Sequence, residues 1–192
     1  MTTYTVTLDS SKRALLGKPK SDFLEKAFEK FLSHQQKIKD DSTSPSLRLL
    51  YLKDVFSIFS EIEQFSDIKA TFTPANIIKP IFDLVSFLRN VLLHFPTYNT
   101  WDEIQISEDF ANDLSPAHKG SSISNYLKKN SGSADFDFSL VTEFGDLPAK
   151  VRFSEIKKPS DLIYLKDLIT EEEVVNVLLG ILLHVYTAKT NK

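Results

Sequence analysis

The fold class of this chain is decided by its last long apolar stretch, which reads Thr170-Glu171-Glu172-Glu173-Val174-Val175-Asn176-Val177-Leu178-Leu179-Gly180-Ile181-Leu182-Leu183-His184-Val185-Tyr186. The first four residues form a capping box, in which a threonine and a glutamate three residues later bond each other's backbone amides. The residues that follow are apolar nearly all round, which is typical of a helix in the middle of a bundle. The stretch is too short for a bilayer span, which needs roughly 20 apolar residues. We therefore predict a buried central helix that ends near Lys189.

Two amphipathic helices are predicted in the first third of the chain. Asp22 and Glu25 form a capping-box-like start for the first helix, which ends in the polar loop 37–44. Ser44 and Pro45 supply an N-cap and a first-turn proline for the second. Both segments repeat apolar residues at the spacing of one helical face. These residues are Phe23, Leu24, Ala27, Phe28, Phe31 and Leu32, then Leu49, Leu52, Val55, Phe56, Phe59 and Ile62.

A third helix is predicted to begin at Thr73-Pro74, which repeats the same start signal. Pro80 inside the segment predicts a kink or an alternative start. The helix is expected to stop at about His94, because Pro96 disfavours helical geometry at the residue before it. Its apolar face contains Ile77, Ile78, Ile81, Leu84, Val85, Leu88, Val91 and Leu92.

The remaining segments complete the predicted architecture. Residues 121–129 are expected to form a short helix. Residues 135–143 and 150–156 alternate polar with apolar side chains across Gly145-Asp146-Leu147-Pro148, which predicts a β-hairpin. The sequence therefore predicts a mainly α protein, an up-and-down bundle of four to five main helices with a small β-hairpin inserted before the last helix.

The length and the residue types present limit the domain organisation and the cellular setting. A chain of 192 residues suffices for one domain with a substantial core. We assign residues 1–20 to a flexible arm or an edge strand and residues 21–192 to a single helical domain. The chain has no cysteine, which excludes disulfides and thiolate chemistry and fits a reducing compartment. Because the first residues lack the basic start and apolar core of a secretory signal, we expect a cytoplasmic protein without membrane partners.

Charge and motif content restrict the classes of ligand. The formal net charge of −3 argues against a broad non-specific nucleic-acid binder, but not against an enzyme that contacts a few phosphates. The sequence contains no phosphate-cradling glycine loop, dinucleotide fingerprint or zinc-ligand pattern, so we expect neither a cofactor nor a metal. The acidic residues in 102–109 lack the ligand spacing and glycine of a calcium loop, and are expected to be a solvated surface.

The end of the third predicted helix carries the residues most suited to chemistry, Arg89-Asn90-Val91-Leu92-Leu93-His94. Histidine moves protons near neutral pH, and arginine is a permanent, fork-shaped cation that stabilises charge on phosphoryl oxygens. Asparagine orients either partner. Asn90 and His94 are four residues apart and share a helical face with Asp83, while the long side chain of Arg89 allows it to converge with His94.

A plainer interpretation fits the same residues. In it, His94 simply caps a helix end, Arg89 pairs with Asp83 or Asp102, and Asn90 is an ordinary surface residue. Short motifs match by chance at an appreciable rate, so the residues by themselves leave both interpretations open.

The segment Phe87-Leu88-Arg89-Asn90-Val91-Leu92-Leu93-His94-Phe95-Pro96 resembles the signature of the HEPN superfamily (higher eukaryotes and prokaryotes nucleotide-binding domains). That signature is an arginine, a polar residue that is often asparagine, and a histidine after a short spacer. The segments Trp101-Asp102-Glu103-Ile104 and Ile163-Tyr164-Leu165-Lys166-Asp167-Leu168 also look like stand-alone bacterial members. Members are helical bundles that typically dimerise with their motifs facing each other, and many are metal-independent endoribonucleases of toxin–antitoxin and antiphage systems.

The resemblance implies that Arg89 and His94 are catalytic and that Asn90 supports them. We accordingly expect a homodimer that cleaves RNA by attack of a ribose 2′-hydroxyl on the adjacent phosphate, with an antitoxin as a candidate partner protein. The alternative is a non-catalytic HEPN-like helical dimer that binds a nucleotide, a nucleic acid or a partner protein, because one fold hosts many functions.

Two further sets of residues have both a functional and a structural interpretation. Asp83 and His118 are candidate supporting residues of the motif, although a solvated loop is the more common setting for a histidine such as His118. Asn176, Gly180 and His184 form a polar or small stripe on the last helix. They either line a cleft or, more commonly for such stripes, mark a close helix crossing with hydrogen-bonded polar side chains.

Overall fold

The computed structural model describes residues 10–66, 75–94, 97–114, 119–142 and 145–187. They form a mainly α protein with two small antiparallel strand pairs, as predicted. The helices are α1 Ser10–Leu16, α2 Lys18–Lys39, α3 Pro45–Ser66, α4 Ala75–His94, α5 Glu108–Leu114, α6 Lys119–Asn130, α7 Leu165–Leu168 and α8 Glu171–Thr187. The strands are β1 Gln105–Ile106, β2 Phe136–Thr142, β3 Gly145–Val151 and β4 Ile163–Tyr164.

The centre of the core is α8, which contacts α2, α3 and β3. Every residue from Val174 to Leu183 is buried, so the helix has no solvent-facing side over that length. This confirms the prediction of a central helix. It is described to Thr187, and the predicted end near Lys189 lies outside the described residues. None of the described helices is long and apolar enough to cross a membrane.

The first part of the chain differs from the prediction at its start. Residues 10–16 and 18–20 are helical rather than an arm or an edge strand, Gly17 separates the two helices, and residues 1–9 lie outside the described residues. A proline in the first turn costs α2 no hydrogen bond, which lets the helix begin at Lys18 instead of at Asp22. Glu25 does not act as a cap but forms an ion pair with Arg13 of α1.

The apolar faces of α2 and α3 were predicted correctly. The twelve residues assigned to them are buried, except that Phe23 is partly buried and packs against the core. The start of α3 at Pro45 is confirmed, with the amide of Arg48 donating to the carbonyl of Ser44. α2 extends three residues into the segment 37–44 that was predicted as a loop, and ends at Lys39.

Helix α4 carries the candidate motif and ends at His94, as predicted. It runs through Pro80, which is therefore not a helix start; Thr73-Pro74 lies outside the described residues. Of the predicted apolar face, the six residues whose side chains are described are buried, namely Ile81, Leu84, Val85, Leu88, Val91 and Leu92. α4 packs mainly against α6, which confirms the short helix predicted at residues 121–129.

The predicted hairpin is present, but its turn lies elsewhere. β2 and β3 pair from Phe136 with Val151 to Thr142 with Gly145. The segment Gly145–Pro148, predicted as the turn, therefore belongs to β3, and residues 143–144 lie outside the described residues. Side chains of a strand point alternately to its two faces. Burial alternates in this way along β3, with Leu147, Ala149 and Val151 facing α8 and the core, which explains why the strand includes the segment predicted as a turn.

The first turn of α8 is tied to the hairpin through one carboxylate. Glu173 accepts hydrogen bonds from the amide of Thr170 at 2.8 Å and from both terminal guanidinium nitrogens of Arg152 at 2.9 Å. The amide of Glu173 donates to the Thr170 hydroxyl at 3.3 Å, which completes the predicted capping box. Burial by itself would raise the pKa of Glu173, but the hydrogen bonds from Arg152 and Thr170 outweigh it and lower that pKa.

We predict that Glu173→Gln lowers the free energy of unfolding at pH 7 by about 1.5–3 kcal/mol, because hydrogen bonds to a partly buried charge are lost. A carboxyl with a lowered folded-state pKa stabilises the fold above its unfolded value and loses that effect as pH falls through the folded value. The difference between wild type and variant should therefore shrink as pH falls below 4.5, the ordinary value. Urea denaturation across this range measures it.

The matched control is Glu172→Gln, on the neighbouring residue. Its side chain is 61% exposed and pairs with Lys39 at 3.1 Å. Surface ion pairs of this kind contribute about 0–1 kcal/mol to folding stability. An equal loss of stability in both variants, or a Glu173→Gln effect that is independent of pH, would contradict the role assigned to Glu173.

Candidate functional site

The candidate motif lies on the solvent side of α4. Arg89 and His94 are exposed and Asn90 is partly buried. The residues between them, Val91 and Leu92, are 1% and 2% exposed and anchor the helix in the core. The helix therefore holds the three polar side chains at the surface while its opposite face fixes their positions.

Arg89 and His94 point in different directions within one chain. Five residues of α-helix separate their Cα atoms by about 7.5 Å along the axis and by roughly 140° around it. Among the described residues, neither side chain has a hydrogen-bond or ion-pair partner. The pairing of Arg89 with Asp83 or Asp102, which the plainer interpretation required, is not observed. Both groups remain accessible to a ligand or to another protein chain.

Asn90 connects the motif to the neighbouring helix. Its amide nitrogen donates to the hydroxyl of Ser122 on α6 at 3.3 Å. One turn earlier on α4, the ring of Phe87 stacks on that of Tyr126, with centroids 4.3 Å apart and planes at 16°. The two contacts fix α4 against α6. Asn90 thus has a positioning role, and the structure shows no bond from it to Arg89 or His94.

Asp83, a predicted supporting residue, bonds two lysines rather than the motif. Its Oδ2 accepts from Lys79 Nζ at 2.9 Å and from Lys129 Nζ at 2.6 Å. Burial by itself would raise the pKa of Asp83, but the hydrogen bonds from Lys129 and Lys79 outweigh it and the pKa lies below its ordinary value. Asp83 is therefore an anion at neutral pH. The second supporting candidate, His118, lies outside the described residues.

Between α4 and α6 lies a cavity of about 230 Å³, which we call the α4–α6 groove. Its lining includes Lys79, Asp83, Ser86, Ser122, Tyr126 and Lys129. Sequence reasoning missed this groove. The spacing of Lys79 and Asp83 on one helical face was visible in the sequence, but the approach of Lys129 from 46 residues away was not.

An exposed leucine accompanies the motif. Leu93 is 49% exposed and lies four residues after Arg89, so the two share a stripe of α4. Burial of a leucine side chain lowers the free energy, so a contact with another chain at this surface would be favourable. Other large apolar side chains, such as Leu50 and Leu162, are at least as exposed.

The other polar candidates have structural roles where they are described. The amide nitrogen of Asn176 donates to the carbonyl of Pro148 at 2.7 Å, which links α8 to β3. Gly180 is buried in α8, and the side chain of His184 is not among those described. In the acidic segment, Glu108 forms an ion pair with Lys128 at 2.6 Å. Among the described residues, we find no cluster of three or more histidine or carboxylate side chains that could hold a metal ion.

Comparison with known proteins leaves the family open. No family model, curated protein or solved structure matches this chain. The resemblance to the HEPN superfamily therefore rests on the residues quoted above and on the helical layout.

We predict that Arg89→Ala and His94→Ala each change the free energy of unfolding by less than about 0.5 kcal/mol, as expected for exposed side chains that bond none of the described residues. In contrast, Phe87→Ala, which removes a side chain 2% exposed on the same helix, should cost about 3–5 kcal/mol. Thermal and urea denaturation provide the values. A large loss for either motif variant would show that its side chain is part of the scaffold.

Proposed function

We propose that this protein is a metal-independent endoribonuclease of the toxin or antiphage-defence type, acting as a homodimer in the cytoplasm. The observation that carries the proposal is that Arg89 and His94 are exposed, with no partner in the part of the chain that the structure describes, at the end of a helix whose other face is buried. A cation and an imidazole held in this way are available to a phosphodiester. If the protein is a toxin, an antitoxin protein is its expected inhibitor.

The proposed reaction needs only proton transfer and charge stabilisation. The neutral imidazole of His94 accepts the proton of a ribose 2′-hydroxyl while the 2′-oxygen forms a bond to phosphorus. The guanidinium of Arg89 stabilises the negative charge that grows on the phosphoryl oxygens. The bond from phosphorus to the 5′-oxygen breaks, and an imidazolium protonates that oxygen. The products are a 2′,3′-cyclic phosphate and a 5′-hydroxyl.

The angle between the two side chains supports a site built from two copies. Arg89 and His94 diverge by roughly 140° around α4. Within one chain, both side chains therefore reach a single phosphate only if the long side chain of Arg89 bends back toward His94. In a two-fold dimer the same surface faces itself, so Arg89 of one copy approaches His94 of the other. Leu93 lies beside both and would lose its exposure to water in such a contact.

The direct test is incubation of the purified protein with transfer RNA and mixed RNA in EDTA. We expect cleavage products with cyclic phosphate ends. His94→Ala should lower the rate by about 10²–10⁴-fold, the typical contribution of a proton-transferring group. Arg89→Ala should lower it by about 10²–10³-fold.

The matched control is Lys26→Ala, which removes an exposed cation on α2 instead of α4. It should cleave RNA like the wild type. Equal cleavage by wild type and His94→Ala would show that any activity comes from a contaminant or another site.

Mixing the two inactive variants tests whether the site is shared between copies. If each site takes Arg89 from one chain and His94 from the other, a mixed dimer of Arg89→Ala and His94→Ala retains one intact site. Subunit exchange should then restore about a quarter of the wild-type activity. If both residues act from the same chain, the mixture stays inactive, and the two-copy arrangement is wrong even if the protein is a nuclease.

The second candidate is a non-catalytic HEPN-like helical dimer that binds a nucleotide, a nucleic acid or a partner protein. The observation in its favour is that Asn90 bonds Ser122 and not the other motif residues, so the three residues do not form one constellation within a chain. Saturable binding of RNA or a nucleotide that requires Arg89, without any RNA product at high protein concentration, would favour this alternative.

A further inference from the structure

The α4–α6 groove presents two ammonium groups side by side. Lys79 and Lys129 both donate to the same oxygen of Asp83, so the single carboxylate holds the two ammonium groups close together. One negative charge does not neutralise two positive ones, and the three groups together carry a net positive charge. Each ammonium has three donors. Those not used on Asp83 are free to bind an anion.

The remaining polar lining of the groove supplies further groups that can donate hydrogen bonds. Ser86, Ser122 and Asn125 are exposed to the cavity or its rim and contribute two hydroxyls and an amide. Asp83 is the only carboxylate among the described lining residues. The volume of the groove, about 230 Å³, is several times the roughly 30 Å³ that one water molecule occupies. A tetrahedral phosphate group therefore fits.

One buried group in the groove has no hydrogen-bond partner among the described residues. Tyr126 is 7% exposed and lines the cavity, and its hydroxyl bonds none of the residues that the structure describes. Burial raises the pKa of this hydroxyl, and the nearby charge of Asp83 adds to the effect, so the group stays protonated and remains a donor. Buried polar groups in proteins are nearly always bonded. The hydroxyl oxygen itself is closed to water, so an oxygen bound in the groove becomes its partner only after a small shift of the side chain.

The groove is continuous with the candidate motif. Lys79, Asp83, Phe87, Asn90 and His94 follow one another at intervals of three or four residues, which places them along one side of α4. Ser122, which lines the groove, also accepts the hydrogen bond from Asn90. From Asp83 to Arg89 the helix advances about 9 Å. A single strand of a few nucleotides therefore reaches both places.

We propose that the α4–α6 groove is a phosphate subsite, which binds a backbone phosphate of a single-stranded RNA a few nucleotides from the scissile link. This inference rests on the proposed function, because it assigns the substrate strand a path along α4. Lys79 and Lys129 bind the phosphate oxygens. Asp83 is a positioning residue that holds the two ammonium groups in place.

The test uses a fluorescent RNA whose 2′-hydroxyls are all methylated, so that it binds but cannot be cleaved through the 2′-oxygen. Anisotropy titration of the full chain at several salt concentrations gives the affinity and its salt dependence. We expect Lys79→Ala and Lys129→Ala each to weaken binding several-fold for every RNA sequence. Each should also reduce the slope of log affinity against log salt by about 0.7, the contribution of one contact with a single-stranded phosphate.

Three further variants sharpen the result. Lys129→Arg keeps the charge and should retain binding, whereas Lys26→Ala, which removes an exposed charge on α2, should bind like the wild type. Tyr126→Phe keeps the stacked ring and should weaken binding without unfolding the free protein, as circular dichroism would show. Unchanged binding in Lys79→Ala, Lys129→Ala and Tyr126→Phe together would overturn the subsite.

Competition separates a strand from a free nucleotide. If uridine monophosphate displaces the RNA only at far higher concentration than unlabelled RNA, the phosphate belongs to a strand, as proposed. If both compete equally, the groove binds a mononucleotide and the assignment to RNA is overturned. Cleavage of ordinary RNA is scored separately. Binding that depends on the two lysines, without any cleavage, would refute the nuclease assignment but support the phosphate subsite. Cleavage with binding that does not depend on the lysines would support the nuclease assignment and refute the subsite.

Discussion

The fold depends on the removal of α8 from water. Its side chains from Val174 to Leu183 are buried on all sides, so α2, α3 and β3 must each contribute an apolar surface against it. Truncating a single large side chain in such a core typically costs about 2–5 kcal/mol, which is a large part of the stability of a domain. The capping box and the Glu173–Arg152 pair set where this helix begins and attach it to the hairpin. The position of α8 in turn determines which faces of its neighbours remain free.

Much of this arrangement was readable from the sequence, because it follows from local periodicity. The apolar stripes of α2, α3 and α4, the end of α4 at His94 and the cap at Thr170 are properties of short segments. The errors occurred where two local signals competed. Gly145 and Pro148 are typical turn residues, yet the alternation of buried side chains continued through them and extended β3. Near the start of the chain, Glu25 has the spacing of a cap, but the more favourable partner was a guanidinium on another helix.

The surroundings of the motif were less predictable, because they are made by residues distant in the chain. Arg89 and His94 are both exposed because each lies outside the apolar face of α4, although they lie on different sides of the helix. The bond from Asn90 to Ser122 and the approach of Lys129 to Asp83 depend on how α6 packs on α4, and no pattern within α4 encodes that packing. The same limit applies to Tyr126, whose burial and stacking on Phe87 were not evident from a short polar helix.

The divergence of Arg89 and His94 around α4 has a consequence for dosage. A site that exists only when two chains meet is absent from each newly made chain, and its abundance grows with the square of protein concentration while most chains are single. Under the proposed function, a cell tolerates a low basal level of this protein, and a modest rise in synthesis, or in local crowding of copies, produces a disproportionate rise in RNA cleavage. Under the proposed function, the divergence of two side chains around one helix would thus set a concentration threshold for activity.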